Sequence, residues 1–177
     1  MVTLGKTAVV YKSKTGFTEK YARWIAGELP ADLFEASRVN VEMLQPYDTI
    51  IYGGGLYIVG INGVKFITQN LDRFKGKRVI IFATGASPVQ EDTIKIIKDK
   101  NFTPQEQEQI TFFYLRGGFD YQKCKPFDKF LIKILVFVLG RKKELTPDER
   151  GMLEVYKNPA DFTRKDYTGE IIDYVNS

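Results

Sequence analysis

The chain is predicted to be an α/β domain organised on a doubly wound parallel sheet, and three observations carry that expectation. Short apolar runs alternate with helical stretches through most of the sequence, as successive β–α–β units require. Those runs are rich in β-branched and aromatic residues and read as buried strands. Three of the turns that follow strands are rich in glycine or hydroxyl residues, and the topology would bring them to one edge of the sheet.

The elements follow in order. Thr7-Ala8-Val9-Val10-Tyr11 reads as the first strand, and Glu19 to Leu29 as a helix with Tyr21, Ala22, Ile25, Ala26 and Leu29 on one face. Asp32 to Ala36 is a short second strand. Thr49-Ile50-Ile51-Tyr52 is the third, expected to close at Gly53-Gly54-Gly55. Val64 to Leu71 is expected to form a short helix ending before Phe74-Lys75-Gly76-Lys77. Arg78 to Ala83 is the fourth strand, closed by Thr84-Gly85. Ile94 to Lys98 belongs to a further helix and Ile110 to Leu115 to a fifth strand. Tyr167, Ile171, Tyr174 and Val175 mark the apolar face of a closing helix. With neither repeats nor a low-complexity linker, 177 residues are expected to form one domain, 1–177, large enough for a real core.

Composition narrows the chemistry. Hydrophobic residues make up 44% and charged residues 27%, ordinary for a globular protein. Met1 to Lys6 has no long apolar stretch behind it, so no export signal is expected. A single cysteine, Cys124, cannot form an internal disulfide, and a reducing cytoplasm is the simplest setting. The sequence contains no histidine, which excludes a Ser-His-Asp triad, a Cys-His pair and a histidine-ligated metal. No metal site and no side-chain acid or base is therefore nominated, and chemistry borrowed from a cofactor is the economical alternative. The net charge of +4 leaves nucleic acid, a membrane surface or an anionic small molecule as contacts.

The loop Ser13-Lys14-Thr15-Gly16-Phe17-Thr18 joins the first strand to the first helix. Unsatisfied N–H groups at a helix N-terminus, the helix dipole and nearby hydroxyls together make a pocket for a phosphate dianion. Gly16 permits a positive φ or close approach to a bound group. The same residues also fit a plain turn with Thr18 as the helix N-cap. Gly5-Lys6-Thr7 mimics the end of a Walker A loop but precedes its strand, and no G-x-G-x-x-G follows any strand, so both of those nucleotide motifs are rejected.

Ser-x-Thr-Gly-x-Thr directly after the first strand resembles the phosphate loop of flavodoxins, which bind flavin mononucleotide (FMN). The resemblance covers roughly residues 5–115 and the last helix. It implies a flavodoxin-like five-stranded parallel sheet of order 2-1-3-4-5, with Ser13, Lys14, Thr15, Gly16, Phe17 and Thr18 holding the FMN phosphate. It also implies that Gly54, Gly55, Leu56 and Tyr57 form one loop against the isoalloxazine and Thr84, Gly85 and Ala86 the other. Tyr57 is the candidate for stacking on the ring, with a half-exposed loop tyrosine as the alternative. Many flavodoxins that carry electrons are acidic, and a sequence pI near 9.0 departs from that pattern.

The departure is concentrated in an extra, partly helical segment, about residues 116–158, after the fifth strand. Arg116-Gly117-Gly118-Phe119-Asp120-Tyr121 is turn-rich, and Pro126 to Gly140 is a helix that is apolar almost all round. Phe127, Phe130, Leu131, Ile134, Leu135 and Val138 follow one helical stripe, while Ile132, Val136, Phe137 and Leu139 add apolar surface elsewhere. Lys123, Lys125, Lys129, Lys133, Arg141, Lys142 and Lys143 surround it. Two readings stand side by side: contact with a membrane surface or a quinone through residues 127–143, or packing on the sheet or at a homo-oligomer interface.

Phe127 to Leu135, Phe-Asp-Lys-Phe-Leu-Ile-Lys-Ile-Leu, is also similar to a stretch of menaquinone-dependent protoporphyrinogen oxidases, which are flavodoxin-like and bind FMN. The function expected is electron transfer or flavin oxidoreduction in the cytoplasm, peripheral at the membrane if the helix docks there. A redox partner protein or a quinone would complete the couple, and nucleic acid is not expected. The alternatives are an enzyme of the protoporphyrinogen oxidase type in haem biosynthesis and a non-catalytic flavin-binding sensor or assembly protein.

Overall fold

A computed structural model describes residues 5–177, so the start of the expected leaderless N-terminus, Met1 to Leu4, lies outside the described residues. Five parallel strands form the sheet: β1 (Thr7–Lys12), β2 (Ala31–Glu35), β3 (Thr49–Tyr57), β4 (Arg78–Gly85) and β5 (Thr111–Arg116). Their order is β2-β1-β3-β4-β5, as expected. A two-residue strand, Gly60–Ile61, folds back antiparallel on the end of β3.

Both faces of the sheet are covered because the strands are apolar on both. Val9, Ile51, Ile80 and Phe82 pack against α1 (Phe17–Glu28) through Tyr21, Ala22 and Ile25. Ile171 and Val175 join that layer from the closing helix, Gly169–Asn176. Alternate residues Val10, Ile50, Tyr52, Ile81 and Ala83 face the other layer, which holds α2 (Val41–Leu44), α3 (Lys65–Thr68) and α4 (Glu91–Asn101). Each fully buried Ile, Leu or Phe contributes about 1.5–3 kcal/mol, so this two-sided core fixes the strand register.

Several boundaries differ from expectation. Gly53-Gly54-Gly55 does not close β3 but lies inside it, paired with Phe82, Ala83 and Thr84. The glycines are there for space, since a Cβ on Gly53 would come within 2.6 Å of Phe82 Cε1 and one on Gly54 within 2.6 Å of Ile61 Cγ2. Thr84-Gly85 likewise belongs to β4. The helix expected over Val64 to Leu71 is broken into α3 and a 3₁₀ turn, Leu71–Phe74. Tyr167 lies in a 3₁₀ turn, Lys165–Thr168, ahead of the closing helix. Helix α5 (Pro104–Gln109), between α4 and β5, is additional.

The extra segment runs from Gly117 and returns to the sheet through a second strand pair. Gly118–Phe119 pairs antiparallel with Ala160–Asp161, closing a unit that contains α6 (Pro126–Leu139) and α7 (Pro147–Lys157). Helix α6 leaves most of its apolar stripe facing outwards. Phe127, Phe130, Ile134 and Val138 are exposed, whereas Asp128 and Leu139 are buried and Ile132 and Val136 half-buried. Its inward face is thus Asp128-Ile132-Val136-Leu139, and it carries an ion pair described below. Last come the 3₁₀ turn and the closing helix α8 (Gly169–Asn176), whose C-terminal carbonyls of Tyr174 and Val175 accept from Arg78 Nη1 at 2.8 Å each.

Candidate functional site

Parallel pairing brings the C-terminal ends of β1, β3, β4 and β5 to one edge: Lys12 lies opposite Gly54, Gly55 opposite Thr84, and Gly85 opposite Arg116. The three expected loops therefore meet where ligands bind on doubly wound sheets. Clefts of about 240 Å³ at Leu71–Lys77 and about 350 Å³ along α4 lie elsewhere.

The first loop turns into α1 at Gly16, whose φ of 95° is left-handed and whose Cα faces open space. Gly16 is the N-cap residue, so the alternative of Thr18 as N-cap does not hold. Ser13 Oγ accepts from the Gly16 N–H at 3.0 Å and closes the turn. Among the described residues no side chain caps the first turn of α1, which leaves N–H groups of Phe17, Thr18 and Glu19 to face an anion. Thr15 is half-buried and Lys14 partly exposed on the same loop.

Thr18 has a different use from the one its position suggests. It is buried, and its hydroxyl shares a 2.7 Å hydrogen bond with Thr84 Oγ1, tying the first loop to the end of β4. Gly55 leaves room for this pair, because a Cβ there would lie 3.2 Å from Thr18 Oγ1. Phe17 is buried against the extra segment, where Gly118 passes so close that a Cβ would come within 2.7 Å of Phe17 Cε1.

Gly54 to Tyr57 form the end of β3, not a free loop, and Leu56 packs towards Gly85. Tyr57, 39% exposed, carries the Lys14 ammonium 4.4 Å from its ring centroid. Burial first, and then the Asp128 carboxylate, push its hydroxyl up from the ordinary tyrosine range. Beyond Thr84 and Gly85, Ala86 is held by Arg116, whose Nε donates to the Ala86 carbonyl at 3.3 Å while its guanidinium lies 3.8 Å from the Phe162 ring centroid. Tyr114 donates to the Ser87 carbonyl at 2.9 Å, and burial pushes its hydroxyl up to about 12, so it acts as a fixed neutral donor. Cys124 is half-buried with its thiol raised mainly by burial, which suits an unreactive side chain.

Sequence reasoning missed Asp128. Its Oδ2 and Oδ1 lie 3.0 and 3.3 Å from Lys14 Nζ, and the side chain is only 9% exposed. One signal was available: Asp128 is the sole acidic residue of α6.

A family model described as a flavodoxin domain matches residues 8–146. An uncharacterized protein of Methanocaldococcus jannaschii is 29% identical over 150 residues, 72% of this chain and 99% of that protein. Among solved structures, a flavodoxin from the domain Archaea aligns over 97% of this chain and 99% of its own, at 15% identity and a TM-score of 0.47. The two-electron reduced flavodoxin of Megasphaera elsdenii aligns over 61% of this chain and 84% of its own, at 20% identity and a TM-score of 0.46.

Proposed function

Because this chain belongs to the flavodoxin domain family, we propose that it is a redox protein that binds FMN at the edge formed by the loops after β1, β3 and β4. One observation carries the reading: an uncapped helix start, opened by the left-handed Gly16, stands beside glycine-lined ends of two neighbouring strands. A bound flavin would supply one- and two-electron chemistry that the side chains lack. The chain's own part is binding and orientation. Main-chain N–H groups of Phe17, Thr18 and Glu19, the Thr15 hydroxyl and the Lys14 ammonium would hold the phosphate, while Ser13 shapes the turn by accepting from the Gly16 N–H. Gly54, Gly55 and Leu56 on one side and Thr84, Gly85 and Ala86 on the other would flank the ring, with Tyr57 at its margin.

The test is reconstitution of the purified chain with FMN, followed by flavin fluorescence and a reductive titration. Stoichiometric uptake with quenched fluorescence is the expected result, and free flavin after desalting would overturn the reading. The basic excess of the chain, +4, predicts that the second electron enters without the very low potential that an acidic rim imposes.

A second reading, an enzyme of the menaquinone-dependent protoporphyrinogen oxidase type at a membrane surface, is favoured by the outer face of α6. Phe127, Phe130, Leu131, Ile134, Leu135, Phe137 and Val138 are all exposed, with Lys129, Lys133, Arg141, Lys142 and Lys143 among and beside them. No helix among the described residues is long and apolar enough to cross a membrane, so contact would be at the surface, where apolar burial and attraction to anionic lipid add. FMN-loaded protein given protoporphyrinogen anaerobically should then produce porphyrin fluorescence that depends on a menaquinone analogue. A signal no greater than that of free FMN would leave an electron carrier.

A further inference from the structure

Helix α6 turns phenylalanine outwards and aspartate inwards. Phe127 is 69% exposed while its neighbour Asp128 is 6% exposed, the reverse of what solvation favours. A buried carboxylate needs a partner, and this one has Lys14, which lies 114 residues earlier in the chain within the first loop. The same ammonium rests on the Tyr57 ring at the end of β3. One carboxylate, through Lys14, therefore links the extra segment to the first loop and to the end of β3 at the candidate cofactor edge.

The turn before α6 and the returning strand hold the start of α1 as well. Lys123 Nζ lies 5.7 Å from the Phe17 ring centroid, and Lys20 Nζ pairs with Asp161 Oδ2 at 2.9 Å. Residues 14 to 20 are thus held by Asp128 of α6 at one end and by Asp161, the strand partner of Gly118, at the other.

We propose that Asp128 is a positioning residue of the cofactor site: it holds the Lys14 ammonium against Tyr57 and balances the positive charge that a bound flavin would meet. The extra segment is then a working part of that site, not an appendage. This rests on the FMN reading above. Its consequence is an electrostatic signature. Removing Asp128 leaves Lys14 uncompensated and stabilises added electrons, whereas removing Lys14 leaves the carboxylate and opposes them.

The experiment compares Asp128→Asn, Lys14→Met and the double variant. FMN affinity, the flavin midpoint potential and hydrogen exchange of residues 126–139 without FMN are measured in each. D128N is expected to weaken FMN binding on the order of tenfold, the change set by losing a charged hydrogen bond, and to lower protection of α6 in the flavin-free protein. D128N should raise the midpoint potential, K14M should lower it, and the double variant should return towards the parent value. A purely structural role would loosen the site in both single variants and move the potential in one direction, which would overturn the proposal. Failure of the parent protein to bind FMN overturns the cofactor reading and this one with it. Normal FMN binding with both single variants unchanged overturns this inference alone.

Discussion

Replacing Gly16 by valine together with Thr15 and Thr18 by alanine is expected to abolish FMN retention, with affinity falling on the order of a hundredfold or more. The change acts on three separate features of the loop. Gly16 has φ 95°, a conformation that costs a β-branched residue about 1–2 kcal/mol, so valine moves the first N–H groups of α1 off their common target. Thr15→Ala removes a hydroxyl from the loop, and Thr18→Ala breaks the 2.7 Å bond that ties the loop to Thr84. Gly16→Val alone serves as the companion, since nothing lies within 4 Å of a Cβ there and only the backbone is strained. Flavin absorbance after desalting is the readout, and far-UV circular dichroism checks the fold. Undiminished retention by the folded triple variant would remove the phosphate loop from this site.

Gly53→Ala is expected to destabilise the fold by about 3 kcal/mol, the upper range for overpacking a filled core. Gly53 sits in the middle of the sheet opposite Phe82, which is fully buried, and the new methyl would drive into its ring. Relief cannot come from the backbone, because Gly53 is flanked by β1 at Tyr11 and by β4 at Phe82. Urea unfolding of G53A, F82L and their combination tests the cause. If the clash with the ring is responsible, F82L recovers part of the loss and the two effects are not additive. Additive losses would place the cost in the strand itself.

The sheet was legible because its central strands are buried on both sides and so appear as unbroken apolar runs. Once the strand order follows, meeting of the three loops at one edge is a matter of topology. Other features were present locally and passed over. Thr103-Pro-Gln-Glu106 and Thr146-Pro-Asp-Glu149 are capping boxes that open α5 and α7. Neither helix contains a fully buried residue, so a reading led by apolar periodicity finds no face to follow. The extent of β3 through Gly53-Gly54-Gly55 was hidden for the opposite reason, because glycine ordinarily marks a turn and only the ring of Phe82 shows that it is a spacer here.

The sequence by itself determined the fold class and the loops that meet at the site, through local pattern and chain connectivity, while the strand order followed from the resemblance of its first loop to that of flavodoxins. Tertiary structure alone decided where three side chains point. Thr18 faces Thr84 because α1 begins at Phe17, after a left-handed Gly16. Lys14 lies on Tyr57 because Asp128 draws it there. Helix α6, apolar almost all round, had no face of its own to prefer, and with Asp128 turned inwards its carboxylate is compensated by the Lys14 ammonium.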